Sequence, residues 1–406
     1  MTTAATAGET LAIHGGSPVR ETPLPPRNAI GPAERAKIDE VLAHYDSIGL
    51  DYGYQGPFEE AYCKAFTAFM GGGHADAVAT GTMSVYVALL TLDLPKGSQV
   101  LISPITDPGA VSAVILAGHV PRLVDTARGS YNIDAEQVER RLAPGVKAIV
   151  VTHATGQAAP MTGIVEVARR AGLAIVEDCS QSHGARHRGR LVGTFGDVAA
   201  FSTMYRKTSV TGACGGVVYT RDEKVHHRGL ALADRGKPRW QEGFDDRDPT
   251  QFLFPAFNLN ADELSCGIGL ASFGRLPDTI RRRLAFVQET ARLVEERSRV
   301  CRPMPWADGD SPFIYPILVD PESLACTKRE FAVAVRAEGI GLNPHYMYVV
   351  RDWPWVHPHL ADMADTPNAR DVRDRSFVLY LNENYTARES LDTVLSIVKV
   401  ERHFGR

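Results

Sequence analysis

The sequence predicts an α/β protein with a large domain on a mostly parallel sheet and a smaller α+β unit after it. Two observations carry this expectation. From about residue 75, short apolar runs recur with stretches of helical spacing between most of them, and strands alternating with helices at this interval build βα units. The runs are almost wholly apolar, as strands covered on both faces must be.

The expected strands are a short one at Ala77–Ala79, then Gln99–Ser103, Val120–Val124, Lys147–Val151, Leu173–Glu177, Val198–Ser202 and Gly216–Tyr219. Apolar residues at helical spacing predict helices over Met83–Leu92, Ala110–Ala117, Ala135–Leu142 and Gly163–Ala171. The first 35 residues are rich in Pro and Gly and read as an extended arm rather than a packed element. Around residues 236–256 the pattern turns polar, Pro-containing and aperiodic, which predicts a long surface loop. A long Arg-rich helix is expected from about Leu276 to Arg299, then a strand at Phe313–Val319 and a helix at Lys328–Glu338. The expected division is an arm at 1–35, a large domain at 36–285 and a small C-terminal domain at 286–406. No internal repeat or low-complexity segment interrupts it.

The chain has 406 residues, 44% of them hydrophobic and 23% charged, the balance of a soluble globular protein. A net charge of −4 gives no general drive toward nucleic acid or an anionic membrane. The six cysteines (Cys63, Cys179, Cys214, Cys266, Cys301 and Cys326) form no CxxC pair and lie near no His at zinc-finger spacing. A structural metal is therefore not expected, and scattered thiols in a long chain fit a reducing cytoplasm. The start, MTTAATAGET, lacks the basic-then-apolar pattern of a secretory signal, and no apolar run is long enough to span a bilayer.

Ligands of parallel α/β sheets bind beyond the C-terminal ends of the strands, and three polar motifs fall there. In the first, Thr80-Gly81-Thr82-Met83-Ser84, Gly allows close backbone approach and the helix N-terminus offers N–H groups and a positive dipole end to an anion. A plain N-cap explains the same residues. In the second, Val176 to Gly184, Asp178 falls just past a very apolar strand. It either caps the next turn or meets a cation such as a protonated pyridine nitrogen, because an unpaired buried carboxylate is costly. In the third, Ser202 to Lys207, the lysine leaves an apolar strand and enters a Gly-rich turn. It is either a loop lysine in solvent or a desolvated amine of depressed pKa, suited to Schiff-base chemistry.

These motifs, in this order and spacing, resemble those of the DegT/DnrJ/EryC1/StrS family of sugar aminotransferases. The matching residues are Gly81-Thr82, Pro104-Ile105-Thr106, Thr152-His153, Glu177-Asp178 with Gln181 and Gly184-Ala185, Gly196-Asp197, Ser202 to Lys207, Gly215-Gly216 and Asn258. Gly15 to Arg20 is similar to a segment of several cyclitol- and sugar-modifying members. The resemblance covers about residues 10–400 and implies the type I aminotransferase fold, with pyridoxal 5'-phosphate bound in the 36–285 domain. It implies that Lys207 holds the cofactor as a Schiff base and shuttles the proton, and that Asp178 pairs with the pyridinium nitrogen. Gln181 would bond the phenolic oxygen, while Gly81, Thr82 and Ser202 would hold the phosphate. Ser180 would pack on one ring face, with His153 close by. Asn258 would reach the phosphate of a partner subunit, so the active unit would be a homodimer with shared sites.

The implied reaction moves an amino group from L-glutamate or L-glutamine to a ketosugar, free or nucleotide-linked, or to a keto-cyclitol. Arg186, His187, Arg188 and Arg190 either meet a substrate phosphate or form a solvated hairpin. The sequence departs from the family at three places. Asp107 stands where an aromatic stacks on the cofactor, Cys214 where an acidic residue is common, and Leu259-Asn260 where Tyr-Arg is frequent. Asp107 either caps a helix beginning at Pro108 or bonds a substrate hydroxyl or amine. Competing readings are a dehydratase on the same fold, whose members carry His in place of the lysine, and a non-catalytic regulatory homologue that keeps the fold. A nicotinamide dehydrogenase would need a G-x-G-x-x-G turn, and the sequence has none.

Overall fold

A computed structural model describes residues 10–406. Residues 1–9 of the expected arm, with nearly all of the segment read for a signal, lie outside the described residues. Seven strands form the large sheet, in the spatial order His74–Val78, Gly216–Thr220, Val198–Ser202, Ala174–Asp178, Val146–Thr152, Gln99–Ile102 and Val120–Leu123. Only Gly216–Thr220 runs antiparallel to its neighbours; the other pairs are parallel. Every residue of Val198–Ser202 and Gly216–Thr220 is buried, so the apolar runs reflect cover on both faces. The expected strands fall within one or two residues of the observed ones, except the first. That strand starts earlier, at His74, because its polar His74 and Asp76 interrupt the apolar pattern.

The expected helices appear as Gly81–Thr91, Pro108–Leu116, Ala135–Arg140 and Met161–Arg170. Sequence reading misses the helices Pro32–Ile48, Pro57–Phe69, Glu223–Ala233, Glu263–Gly274 and Ala387–Phe404. Pro32–Ile48 buries only Glu34 and Val41, so it carries no apolar stripe. Glu263–Gly274 contains three glycines, which disfavour a helix in isolation. Packing overrides that preference: a Cβ on Gly267 would lie 2.6 Å from Val41 Cγ2, and one on Gly269 would lie 2.7 Å from Thr211 Cγ2. The region 236–256 is a run of turns with one 3-10 turn, Pro249–Gln251. Buried Asp234 anchors its start by pairing with Arg235 and Arg239.

A second, antiparallel sheet has the strand order Cys301–Pro303, Ile314–Val319, Ser376–Tyr380 and Leu342–Asn343. The helices Lys328–Ala337 and Ala387–Phe404 share its core. The long helix Leu276–Arg297 joins the two cores: Leu276 packs with the large sheet's aromatic cluster, while Phe286, Val287, Leu293 and Val294 pack with the second sheet.

The N-terminal segment corrects the expectation of an unpacked arm. It is irregular apart from a short turn at Ala12–His14, but it is docked on the C-terminal unit. Leu11 is fully buried, and Arg20 pairs with Glu389 and Asp392. Pro and Gly report backbone shape and say nothing of partners. Glu338, fully buried at the end of its helix, accepts from Ala12 N (2.9 Å) and Val19 N (3.0 Å). Glu338→Ala should therefore lose roughly 2–4 kcal/mol, since two part-buried N–H groups lose their acceptor and the buried Lys399 ammonium loses its carboxylate. Urea unfolding followed by circular dichroism checks this, with faster protease cleavage before residue 20 as the local readout.

Candidate active site

The C-terminal ends of the parallel strands open onto a cavity of about 220 Å³. Gly81, Thr82, Asp178, Ser180, Gln181, Ser202 and Lys207 all line it, together with Asp107. The fold thus brings seven of the nine expected site residues to one place.

Gly81 opens the helix Gly81–Thr91 against the end of strand Val198–Ser202. A Cβ at this position would lie 2.3 Å from Ser202 Cβ, so only glycine lets the two elements close. Thr80 caps the helix by accepting from Met83 N at 3.1 Å. The N–H groups of Gly81 and Thr82 are left for an anion, beside the Ser202 hydroxyl.

Asp178 ends its strand in register with Thr152 and Ala200. Its carboxylate accepts from Ser180 N at 3.0 Å, and Ser180 Oγ in turn accepts from Ser202 N at 2.9 Å. Ser180 therefore braces the two strand ends. Burial raises the Asp178 pKa; the Ser180 hydrogen bonds and the Lys207 charge oppose the rise, and Asp107 adds to it. Lys207 lies in the turn after Ser202 and is 9% exposed. Its ammonium stands over the Phe313 ring, 4.5 Å from the centroid. Burial lowers its pKa, against the pull of Asp178 and Asp107. Gln181 Oε1 accepts from Thr155 N at 2.8 Å, and its side chain also meets the buried Tyr346 hydroxyl.

Two expected residues stand elsewhere. His153 is fully buried and its ring is spent: Nδ1 accepts from Ala159 N (3.0 Å) and Nε2 bonds Glu177 (3.1 Å). The pleat explains this, because Thr152 faces the same side as Asp178, and the next residue points away with Glu177. His153, Glu177 and Cys179 offer one ligand atom each within 4.8 Å of one another. Glu177, however, already accepts from Gly193, Phe195 and Gly196 N–H. The group is a hydrogen-bonded strut. Asn258 is exposed and bonds Asn260 (2.7 Å) outside the cavity of its own chain. The Arg186–Arg190 hairpin is also turned away, with Arg186 on Gly189 O and Arg190 on Thr194.

Asp107 caps the helix Pro108–Leu116, accepting from Gly109 N at 2.8 Å, as one of its two expected roles requires.

Sequence reading missed the residues that hold the lysine turn in place. Arg27, in the N-terminal segment, donates to Tyr205 O (2.8 Å) and to the carbonyl of Lys207 itself (2.6 Å). Its Nε meets Glu383 at 3.3 Å, and Glu383 also pairs with the buried Arg283 at 2.9 Å. Burial alone would raise the Glu383 pKa, but the two guanidiniums outweigh it and hold the carboxyl below its ordinary value. Asn382 and Asn384 bond Pro25 O and Pro26 O, both at 2.8 Å. These partners are 100 to 358 residues apart in sequence, so no local pattern could have revealed them.

The DegT/DnrJ/EryC1/StrS aminotransferase family model matches residues 34–399. GDP-perosamine synthase of Caulobacter vibrioides is 31% identical over 74% of this chain and 80% of its own length. The L-glutamine:2-deoxy-scyllo-inosose aminotransferase of Micromonospora echinospora is 35% identical over 56% of this chain and 54% of its own. Among solved structures, an aminotransferase from Psychrobacter cryohalolentis superposes with a TM-score of 0.85 at 24% identity, covering 93% of this chain and 98% of that one. The fold is the type I aminotransferase fold. The chain belongs to the DegT/DnrJ/EryC1/StrS aminotransferase family and is an aminotransferase; its relatives include sugar and cyclitol aminotransferases.

The Arg27 contacts carry a prediction. Arg27→Ala should lower kcat by roughly ten- to hundredfold, because the lysine turn loses both clamps, and small misplacements are costly to catalysis. Arg27→Lys should not rescue it, since one ammonium cannot span both carbonyls and Glu383 as the guanidinium fork does. Steady-state kinetics at saturating substrate, beside melting curves showing a shift of only a few degrees, check it.

Proposed function

We propose that this enzyme transfers the amino group of L-glutamine or L-glutamate to the ketone of a sugar or cyclitol, as a cytoplasmic homodimer with shared sites. The observation that carries the reading is Lys207: a buried lysine whose ammonium makes no hydrogen bond among the described residues, in one cavity with a buried carboxylate and an open helix N-terminus. The cofactor is pyridoxal 5'-phosphate. When bound, it supplies an electron sink for the carbon that bears the nitrogen.

The chain's own groups fit the remaining tasks. The N–H groups of Gly81 and Thr82 and the Ser202 hydroxyl bind the phosphate at the helix N-terminus. The crowding at Gly81 suits that use, since it sets the Ser202 hydroxyl against the start of the helix. Gln181 donates its amide N–H to the ring's phenolic oxygen. Asp178 takes a cation opposite it, which removes the energetic cost that burial imposes on its charge. Lys207 Nζ takes up the substrate's carbon-bound proton and delivers it one position along, as a general acid–base. Its depressed pKa keeps a neutral amine available nearer to neutral pH than a surface lysine would. A lysine, in place of the dehydratases' histidine, supports amino transfer.

Homodimer formation is supported by the placement of Asn258 outside its own cavity, beside Phe257, which is 64% exposed. The six free thiols suit a reducing cytoplasm. Among the described residues no helix is long and apolar enough to cross a membrane.

Borohydride reduction of the cofactor-loaded protein should fix the cofactor on Lys207, and Lys207→Ala should abolish transamination. Asp178→Asn should cost far more in turnover than in cofactor affinity, because the carboxylate acts on charge developed during reaction. Peptide mapping by mass places the adduct. An adduct on another lysine, or an Asp178→Asn enzyme of near wild-type turnover, would reject the assignment. Light scattering under assay conditions should give at least a dimer.

A further inference from the structure

Lys207 must both take up and release a proton, and its ammonium has one close partner among the described residues. Nζ makes no hydrogen bond and no ion pair there; it stands over the face of Phe313, 4.5 Å from the ring centroid. Asp178, at its strand end, and Asp107, on its helix cap, act on it through charge alone. The buried His183 adds no charge, because burial and then the Lys207 charge bring its pKa down to about 3. The Arg27 guanidinium is taken up by the carbonyls of Tyr205 and Lys207 and by Glu383.

Phe313 is placed by an unusual residue. Its N–H donates to Thr155 O at 2.9 Å, Ile314 N donates to the same oxygen at 3.2 Å, and Ser311 N donates to Gly156 O at 2.8 Å. Thr155 is fully buried with φ at +65°, in the left-handed region that a β-branched residue rarely adopts. Such strain persists where the surroundings over-determine it, and it gathers at functional sites. Thr155 turns its N–H to Gln181 Oε1 (2.8 Å) and its carbonyl to Phe313. One strained residue thus sets both a cavity side chain and the ring beneath the lysine.

An aromatic face attracts a cation through its quadrupole, most strongly where water is excluded. It has no lone pair to take the proton, and it holds the amine in no hydrogen bond that each transfer would have to break. A carboxylate in that place would hold the ammonium fast, and an aliphatic side chain would leave a desolvated charge without support.

We propose that Phe313 is a catalytic residue, whose ring face steadies the ammonium that Lys207 becomes while it carries the proton. This rests on the proton-carrying role of Lys207 proposed above. In that step the donor's C–H bond breaks, its electron pair passes to the cofactor, and the proton joins the neutral Nζ. The new N–H bond then breaks as the proton is delivered one position along. The positive charge on Nζ exists only between these two events, so an interaction with it acts on the transfer itself.

The test replaces Phe313 by phenylalanines bearing one, two and three ring fluorines, which draw charge from the face at nearly constant shape. In cofactor-free protein, the Lys207 pKa is taken from the pH dependence of its acetylation, located by peptide mass. In loaded enzyme, loss of the α-hydrogen of L-glutamine is followed in a single turnover on the alkaline plateau, where the resting amine is neutral. Each fluorine should lower both the pKa and the rate. With three, the fall should reach roughly 0.5–1.5 pH units and three- to thirtyfold, the span of one cation–π contact, at unchanged melting temperature. Phe313→Leu, which keeps apolar bulk and removes the ring, should match the trifluorinated enzyme. A series that is flat in either quantity overturns the proposal and leaves the transfer reading standing. Wild-type enzyme that removes no α-hydrogen from L-glutamine or L-glutamate overturns that reading and this proposal with it.

Discussion

The Glu383 carboxylate, held between Arg27 and Arg283, is the interaction on which the geometry of the site depends. Arg283 lies on the helix that joins the two cores, Glu383 follows the last strand of the small sheet, and Arg27 comes from the N-terminal segment. Arg27 then reaches the carbonyl of Lys207. One carboxylate therefore ties three distant parts of the chain to the turn that presents the lysine. The cluster is buried, and burial brings the Arg283 pKa down to about 10. Buried charges persist when each finds partners of good geometry. Here the two guanidiniums share Glu383, and each also donates to backbone carbonyls: Arg27 to Tyr205 and Lys207, Arg283 to Pro312.

The cavity that this arrangement supports holds its reacting groups in a state of mutual tension. Lys207 and Asp178 are both buried, and burial moves their pKa values toward the neutral forms of each. Their mutual attraction opposes that shift. The backbone around them is held by specific contacts. Ser180 braces two strand ends, and Gly156 at φ +110° lets Ser311 O approach to 2.2 Å of where a Cβ would stand. That approach brings Phe313 under the lysine. The segment leading into strand Ile314–Val319 thus reaches the lysine from the side of the second sheet.

Much of the large domain was legible because a parallel sheet buried on both faces writes itself as apolar runs, and polar residues at the ends of those runs stand out. Asp178, Ser202 and Lys207 are readable for that reason. The family came from the resemblance of the motifs they form, and the type I fold was what that resemblance implied. His153 was misplaced because motif adjacency ignores the pleat: one residue beyond Thr152 the side chain crosses to the other face of the sheet. The helix Glu263–Gly274 was hidden because its glycines serve close packing, a tertiary purpose that local preference contradicts. The docking of the N-terminal segment was illegible for a related reason, since Arg20 and Arg27 bond residues more than 170 positions away. Asp107 was readable as a cap, and its standing in the cavity's charge balance needed the structure.

The central claim is that nitrogen passes from an amino donor to a ring ketone in the cavity that holds Lys207. Its most direct test is isotope transfer. L-Glutamine labelled at the amino nitrogen is incubated with cofactor-loaded enzyme and a keto-cyclitol or ketosugar, and the ring product is read by mass. The label should appear in the ring amine with wild-type enzyme and be absent with Lys207→Ala. A ring product that carries no label, or a product labelled equally by the Lys207→Ala enzyme, would contradict the claim.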